Sequence, residues 1–241
     1  MTEPCFESNK LLATLPAEMR ARLAPHLQRV TFGGQEEVLD RAGTSPDHLY
    51  FPTTLVVALM ALSRSGATTA LALIGREGGI GLAEALAGDC LAHDVVVLVP
   101  GVAYRLPLAL AGDLLAPAGG LLPAALNYGH SLTSQIAQTA FCNLHHSLDQ
   151  RLCRWLLSIA YRVSQQQLHL TEAQIADVLG VRRESVSLAS GRLVEEGLIR
   201  HQRGTVEILD RDRLEAKACE CLPVFPWHDY PTHGLLSAVR G

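Results

Sequence analysis

The chain has no long hydrophobic run. Its longest apolar stretches, Leu55 to Leu62 and Val95 to Val99, are strand-sized and bounded by turn residues or charges, so no segment reads as a membrane-spanning helix. Met1 to Lys10 is acidic and lacks a basic region followed by an apolar one, which argues against a signal peptide and for a cytoplasmic location. Charge is sparse, 18% of residues against 48% hydrophobic, a balance that excludes a disordered chain. None of the six cysteines, Cys5, Cys90, Cys142, Cys153, Cys219 and Cys221, stands in a zinc-type CxxC pair. In a reducing compartment they read as small packing residues, and neither a metal nor a cofactor is expected. His93, His145, His146 and the Cys219-x-Cys221 pair can be read as haem, metal or redox ligands, but the blander reading is preferred for each, a roll-surface or hinge histidine and tail thiols. No Ser/His/Asp set, paired carboxylates or metal-ligand spacing stands out, and Glu77 and Glu84 read as loop and short-helix charges, so an enzyme is not expected. Internal repeats and low-complexity segments are absent too.

What is present changes texture along the chain. With 241 residues, one or two compact units are expected. From Leu11 to Leu27 apolar positions recur at helical spacing, broken by Pro16 and Pro25. After Val30 come short β-branched and aromatic runs separated by Gly, Pro, Asp and Ser, in "VTFGGQEEVLDRAG", "HLYFPTTLVVALMALSRSGATTALALIGREGGIGL" and "HDVVVLVPGVAYRLP", which predict an antiparallel barrel or roll. Helix returns from Pro107, interrupted by "APAGG". A run from Leu121 to about Leu144 carries a stripe of Leu122, Leu126, Thr133, Ile136, Ala140 and Leu144. Such a helix, ~36 Å long, outruns a small domain, so the stripe is expected to meet a second copy of the chain. Ser147 is placed to cap a further helix, in which Leu148, Leu152, Trp155, Leu156 and Ile159 share a face. The predicted class is α+β: a sensor roll over 1–120, a dimerisation helix over 121–146 and a helical module with a β-hairpin over 147–241.

The net charge of −4 conceals a local basic patch. From Arg182 to Arg203 there are five arginines and three glutamates, whereas Met1 to His146 holds eight basic and twelve acidic residues. The patch lies in "LTEAQIADVLGVRRESVSLASGRLVEEGLIR". Thr171 and Gln174 have capping-box spacing, Gly180 permits a sharp turn, and Val186, Ala189, Ser190, Leu193 and Val194 are spaced to face inward. Arg182, Arg183, Glu184, Ser187, Leu188 and Arg192 remain on or near the outer face, where planar guanidinium groups suit guanine edges in a major groove. "GLIRHQRGTVEIL" follows as two strands around a turn, with Arg203 at the tip to meet flanking phosphate. Trihelical core plus hairpin is the winged helix-turn-helix plan.

"LTEAQIADVLGVRRESVSLASGRLVEEGLI" resembles the helix-turn-helix of the CRP/FNR family of bacterial transcription regulators over its whole length. The upstream order, a roll like a cyclic-nucleotide-binding domain and then a long helix, is similar too. The resemblance implies a homodimer on pseudo-palindromic double-stranded DNA, with RNA polymerase as a further partner and a small-molecule effector in the roll. It puts Arg183 and Glu184 at base-reading positions, Ser187 at one used in some branches, and Leu188 where the best-known members carry an arginine. Thr171, Arg182, Arg192 and Arg203 complete the DNA-contact set. The effector region falls on Gly81, Glu84, Leu91 and Ala92. Cyclic-nucleotide binders of the family hold the phosphate there with an arginine; here Leu91 or Ala92 occupies that site and no arginine lies between Arg76 and Arg105. Cyclic AMP is therefore not expected to bind tightly, and with only Cys5 and Cys90 in the first 140 residues neither is an amino-terminal iron-sulfur cluster. A constitutive DNA binder with the roll as scaffold and a haem- or redox-responsive regulator stay open as alternatives.

Overall fold

A computed structural model describes residues 5–34, 38–116, 120–163 and 165–222. The first residues of Met1 to Lys10, parts of "VTFGGQEEVLDRAG" and "APAGG", and the carboxy-terminal domain beyond 222 lie outside the described residues.

Helices α1 (Lys10–Ala13) and α2 (Ala17–Leu23) come first, on either side of Pro16. The roll follows as β1 (Gln28–Phe32), β2 (Val38–Asp40), β3 (His48–Pro52), β4 (Val56–Leu62), β5 (Thr68–Ile74), the short helix α3 (Leu82–Ala87), β6 (Asp94–Val99) and β7 (Gly101–Pro107). All strand pairs are antiparallel, in sheets ordered β1-β7-β3 and β2-β6-β4-β5. One face of the four-stranded sheet turns Val57, Ile74, Val95 and Val97 into the roll, against Ala103 and the half-buried Val30, Phe32 and Tyr50. Its other face, with Ala58, Met60, Ala70 and Leu98, belongs to the core of the carboxy-terminal module. This accounts for "TTLVVALMAL". Val56, Val57 and Ala58 are successive and all fully buried, because the strand is covered on both sides.

Helices α4 (Leu108–Leu115), α5 (Leu122–His145) and α6 (Leu148–Val163) connect the roll to the module. Gln135 pins α5 to the sheet edge: its amide donates to Leu73 O at 3.2 Å and its carbonyl accepts from Leu73 N at 2.8 Å, doing for β5 what a further strand would do. Ser147 and Gln150 form a reciprocal cap at the start of α6. α6 is buried nearly all round, since the module packs on one side and the roll on the other. Its Arg162 is fully buried and donates from Nε to Glu77 Oε1 at 2.8 Å and from Nη2 to Leu73 O at 3.1 Å. Glu77 stands in the turn after β5, the loop position read from the sequence, but as half of a buried ion pair rather than a solvated charge.

The module adds β8 (Gln167–His169), α7 (Glu172–Leu179), α8 (Arg183–Glu195), β9 (Ile199–Gln202), β10 (Thr205–Ile208) and α9 (Arg211–Lys217), with sheet order β8-β10-β9. Among the described residues no helix is long and apolar enough to cross a membrane.

Candidate nucleic-acid interface and effector pocket

Local chemistry sets the helix-turn-helix. Thr171 Oγ1 accepts from Gln174 N at 3.2 Å while Gln174 Oε1 accepts from Thr171 N at 2.9 Å, so the capping box starts α7 and occupies the Thr171 hydroxyl. Gly180 ends α7 at φ 64°, left-handed backbone that a side chain resists. A Cβ there would also lie 3.0 Å from Thr69 Oγ1, because the turn rests on the β4–β5 hairpin. Thr69 Oγ1 donates to Val178 O at 3.3 Å in the same contact.

On α8, Val186, Ala189, Ser190 and Leu193 are buried as the spacing predicts. Val194 is 42% exposed, a correction: at the end of the helix it has rotated past the core. Arg182, Arg183, Glu184, Ser187 and Leu188 are exposed, Leu188 at 67%. Two cations at the amino end of a helix oppose its dipole, which only Glu184 in the first turn offsets. An external anion would remove that conflict. Arg183 meets Glu172 at 3.3 Å, but its side chain is 70% exposed, so the pair opens at little cost. Arg192 is engaged differently, bound through two nitrogens to Asp149 of α6. Arg203 is exposed at the hairpin tip with φ 51°, next to Gly204 at φ 74°, as a type I′ turn requires.

A cavity of about 620 Å³ lies between the roll, α3 and α5. Gly81, Glu84 and Leu91 line it, together with Leu59, Ile136 and Tyr128; Ala92 is exposed and is not among the lining residues. No lysine or arginine lines it among the described residues. Burial pushes the Tyr128 hydroxyl well above the ordinary range for tyrosine, so it stays neutral. Along α5, Leu126, His130, Thr133, Ala137, Ala140 and Leu144 form an exposed seam at alternating spacings of four and three, with Leu144 at 81% exposure. Leu122 and Ile136 are half-buried, Ile136 in the wall of the cavity. Leu126, His130 and Thr133 belong to both the seam and the cavity wall.

Three of the cysteines expected to be scattered packing residues are buried, as packing residues are, but they lie together rather than apart. Cys142 of α5 lies against Cys219 and Cys221, which follow α9, in a buried cluster of their own, and His146 stands beside them. The sequence offered His146 and the Cys219-x-Cys221 pair as separate ligand candidates, but not their meeting with Cys142, since the two pairs lie on opposite sides of the whole module.

Residues 150–217 match the family profile of the Crp-like helix-turn-helix domain. No curated protein matches the chain. Among solved structures it is similar to a transcriptional regulator of the Crp/Fnr family from Eubacterium rectale, at 17% identity and TM-score 0.67, over 88% of this chain and 98% of that one. A CRP-family regulator from Thermus thermophilus aligns at 22% identity and TM-score 0.66, over 79% and 96% of the two chains. FixK2 from Bradyrhizobium japonicum aligns at 14% identity and TM-score 0.68, over 80% and 98%. At these identities the likeness is one of fold.

Proposed function

This chain carries a Crp-like helix-turn-helix domain on the fold of CRP/FNR transcription regulators, and we propose that it works as a homodimeric, sequence-specific DNA-binding regulator that cyclic AMP does not control. The observation that carries this is the exposed amino-terminal face of α8, where Arg182, Arg183, Glu184, Ser187 and Leu188 stand in solvent on a helix that buries Val186, Ala189, Ser190 and Leu193 on its other side. Arg183 suits a guanine edge, Glu184 a cytosine amine and Leu188 a thymine methyl; Arg182 and Arg203 suit phosphate. The exposed seam on α5 supports pairing of two chains, which would set the two recognition helices about one duplex turn apart. RNA polymerase is the partner such a regulator would meet on a promoter.

The effector fits the cavity. Its size is that of a small-molecule site, and a lining dominated by leucine, isoleucine and alanine without lysine or arginine favours a neutral, largely apolar molecule over a cyclic nucleotide. Because Leu126, His130 and Thr133 belong to both cavity and seam, occupancy of the one would bear on the geometry of the other.

Selection from a random duplex pool tests the DNA reading, with a two-fold symmetric site as the expected product. Arg183→Ala and Glu184→Ala should each relax preference at one base position, at about 1–3 kcal/mol. Failure of the chain to hold any duplex at low salt would sink the reading. For the effector, micromolar binding of cyclic AMP by calorimetry would overturn its exclusion.

A further inference from the structure

We propose that Cys142, His146, Cys219 and Cys221 form a binding site for a single zinc-type divalent cation that ties the end of the long helix to the tail of the DNA-binding module. Cys142 Sγ and Cys219 Sγ are 3.9 Å apart, and Cys221 Sγ is 3.8 Å from His146 Nδ1. All four donor atoms lie within 4.8 Å of one another. A tetrahedral zinc ion with thiolate bonds of ~2.3 Å sets its sulfurs ~3.8 Å apart, so the four groups already stand close to the corners such an ion requires. The Cys142 and Cys219 sulfurs stand well beyond disulfide bond length, and all three cysteines are free thiols. A tetrahedron of this size encloses one ion, with every corner taken by protein. The site would therefore hold structure or report metal rather than activate water.

The surroundings fit the same assignment. His146 turns Nδ1 toward the sulfurs while Nε2 lies 3.2 Å from Glu220 Oε1, so the outer nitrogen can donate its proton to a carboxylate and leave the inner lone pair for a metal. The Gln138 amide points its donor at Cys221 Sγ and Cys142 Sγ, which offers the sulfurs a hydrogen-bond donor should they be thiolates. Buried Arg154 adds positive charge near Cys142 and Cys219, offsetting an excess of thiolate over metal charge. Three thiols serving only to fill space would be expected among aliphatic side chains. These three are instead a cluster apart from the aliphatic cores. Binding takes up the ion and releases one proton for each thiol still protonated, with no change of oxidation state.

Cys142 and His146 stand one helical turn apart at the end of α5, and Cys219 and Cys221 follow α9, so the ligand pairs bracket the module from both ends. An ion held by all four would fix the module's angle on α5. On the reading given under Proposed function, metal would thereby change affinity for DNA.

The test begins with elemental analysis of full-length protein purified under reducing conditions and dialysed against zinc. One zinc per chain is expected, and replacement by cobalt(II) should give the intense visible bands of a tetrahedral site and near-ultraviolet thiolate charge transfer. Cys142→Ser and Cys219→Ser should each weaken zinc binding at least 100-fold and Glu220→Gln about 10–100-fold, while Cys153→Ser and Cys90→Ser leave the stoichiometry unchanged. Should a cluster variant not fold, alkylation of the wild-type chain decides: zinc should protect Cys142, Cys219 and Cys221 together. Substoichiometric zinc, or binding and alkylation that ignore these residues, overturns the site. Zinc-loaded and chelator-stripped protein are then compared on a selected duplex, with at least a tenfold change in affinity expected. Equal affinity overturns the coupling and leaves the site; one zinc per chain with no DNA binding in either state overturns the regulator reading alone.

Discussion

Arg192 of α8 and Asp149 of α6 form a two-pronged ion pair, Nε to Oδ2 at 2.8 Å and Nη2 to Oδ1 at 2.5 Å. The pair joins α8 to the first turn of α6. Arg192→Ala should therefore lower stability only slightly, because solvent screens the exposed guanidinium, and weaken DNA binding far less than Arg183→Ala. The hydrogen bonds from Arg192 hold the Asp149 carboxyl below its ordinary value of 3.8. A depressed acid contributes stability above its unfolded value and loses it as pH falls through the folded one. The difference between wild type and Arg192→Ala in urea melts should then shrink below pH ~4.

Arg203 occupies a left-handed position that costs a non-glycine residue roughly 1 kcal/mol. Arg203→Gly should raise the melting temperature slightly. If the side chain meets phosphate, the same change should reduce the slope of log affinity against log salt by about 1, uniformly across duplex sequences. A slope that does not move would remove Arg203 from the interface.

Asp40 supplies a pH signature. Burial first, and then the negative charges of Asp47 and Glu84, raise its carboxyl to about 6. The folded chain thus holds this proton more tightly than the unfolded one, so the contribution is present at low pH and lost as pH rises from 3.8 to about 6. Asp40→Asn should flatten that part of the stability profile. Above pH 6 it should gain ~1 kcal/mol, a figure reduced for the half-exposed site, as read from urea midpoints between pH 4 and 8.

The buried pair of Arg162 and Glu77 joins module to roll, with side chains 0% and 6% exposed. Arg162→Leu strands a buried carboxylate and should cost ~3–5 kcal/mol in urea unfolding. The double change Arg162→Leu with Glu77→Leu should recover a large part of that loss, and equal costs for the single and double variants would contradict the account.

Ala140 and Thr133 lie on the exposed seam of α5. Glutamate at both positions would set like charges against each other across a two-fold seam. Light scattering should then report a monomer where the unaltered chain gives a dimer, with circular dichroism unchanged. A dimer that survives would place the interface elsewhere.

The winged module was legible because its signals are local. Thr171 with Gln174, Gly180, and Arg203 with Gly204 fix caps and turns within a few residues, so spacing alone exposes them. Along α5 the stripe read from the sequence is exposed at Leu126, Thr133, Ala140 and Leu144, but periodicity could not say that Ile136 lines the cavity, since that depends on where the roll sits. Strand β8 has three residues and exists because β10 offers it an edge. Neither the Arg162–Glu77 pair nor the meeting of Cys142 and His146 with Cys219 and Cys221 has a sequence signal, because each joins residues more than seventy positions apart.

The four-stranded sheet also sets how this chain can be divided. With one face inside the roll and the other, Ala58, Met60, Ala70 and Leu98, inside the module's core, it is a party wall between two rooms. A cut near Ser147 would strip that wall on one side and bare the matching surface of α6 on the other. Both halves would then carry sticky apolar ground into solution, and the chain should melt in one step and resist dissection into soluble parts.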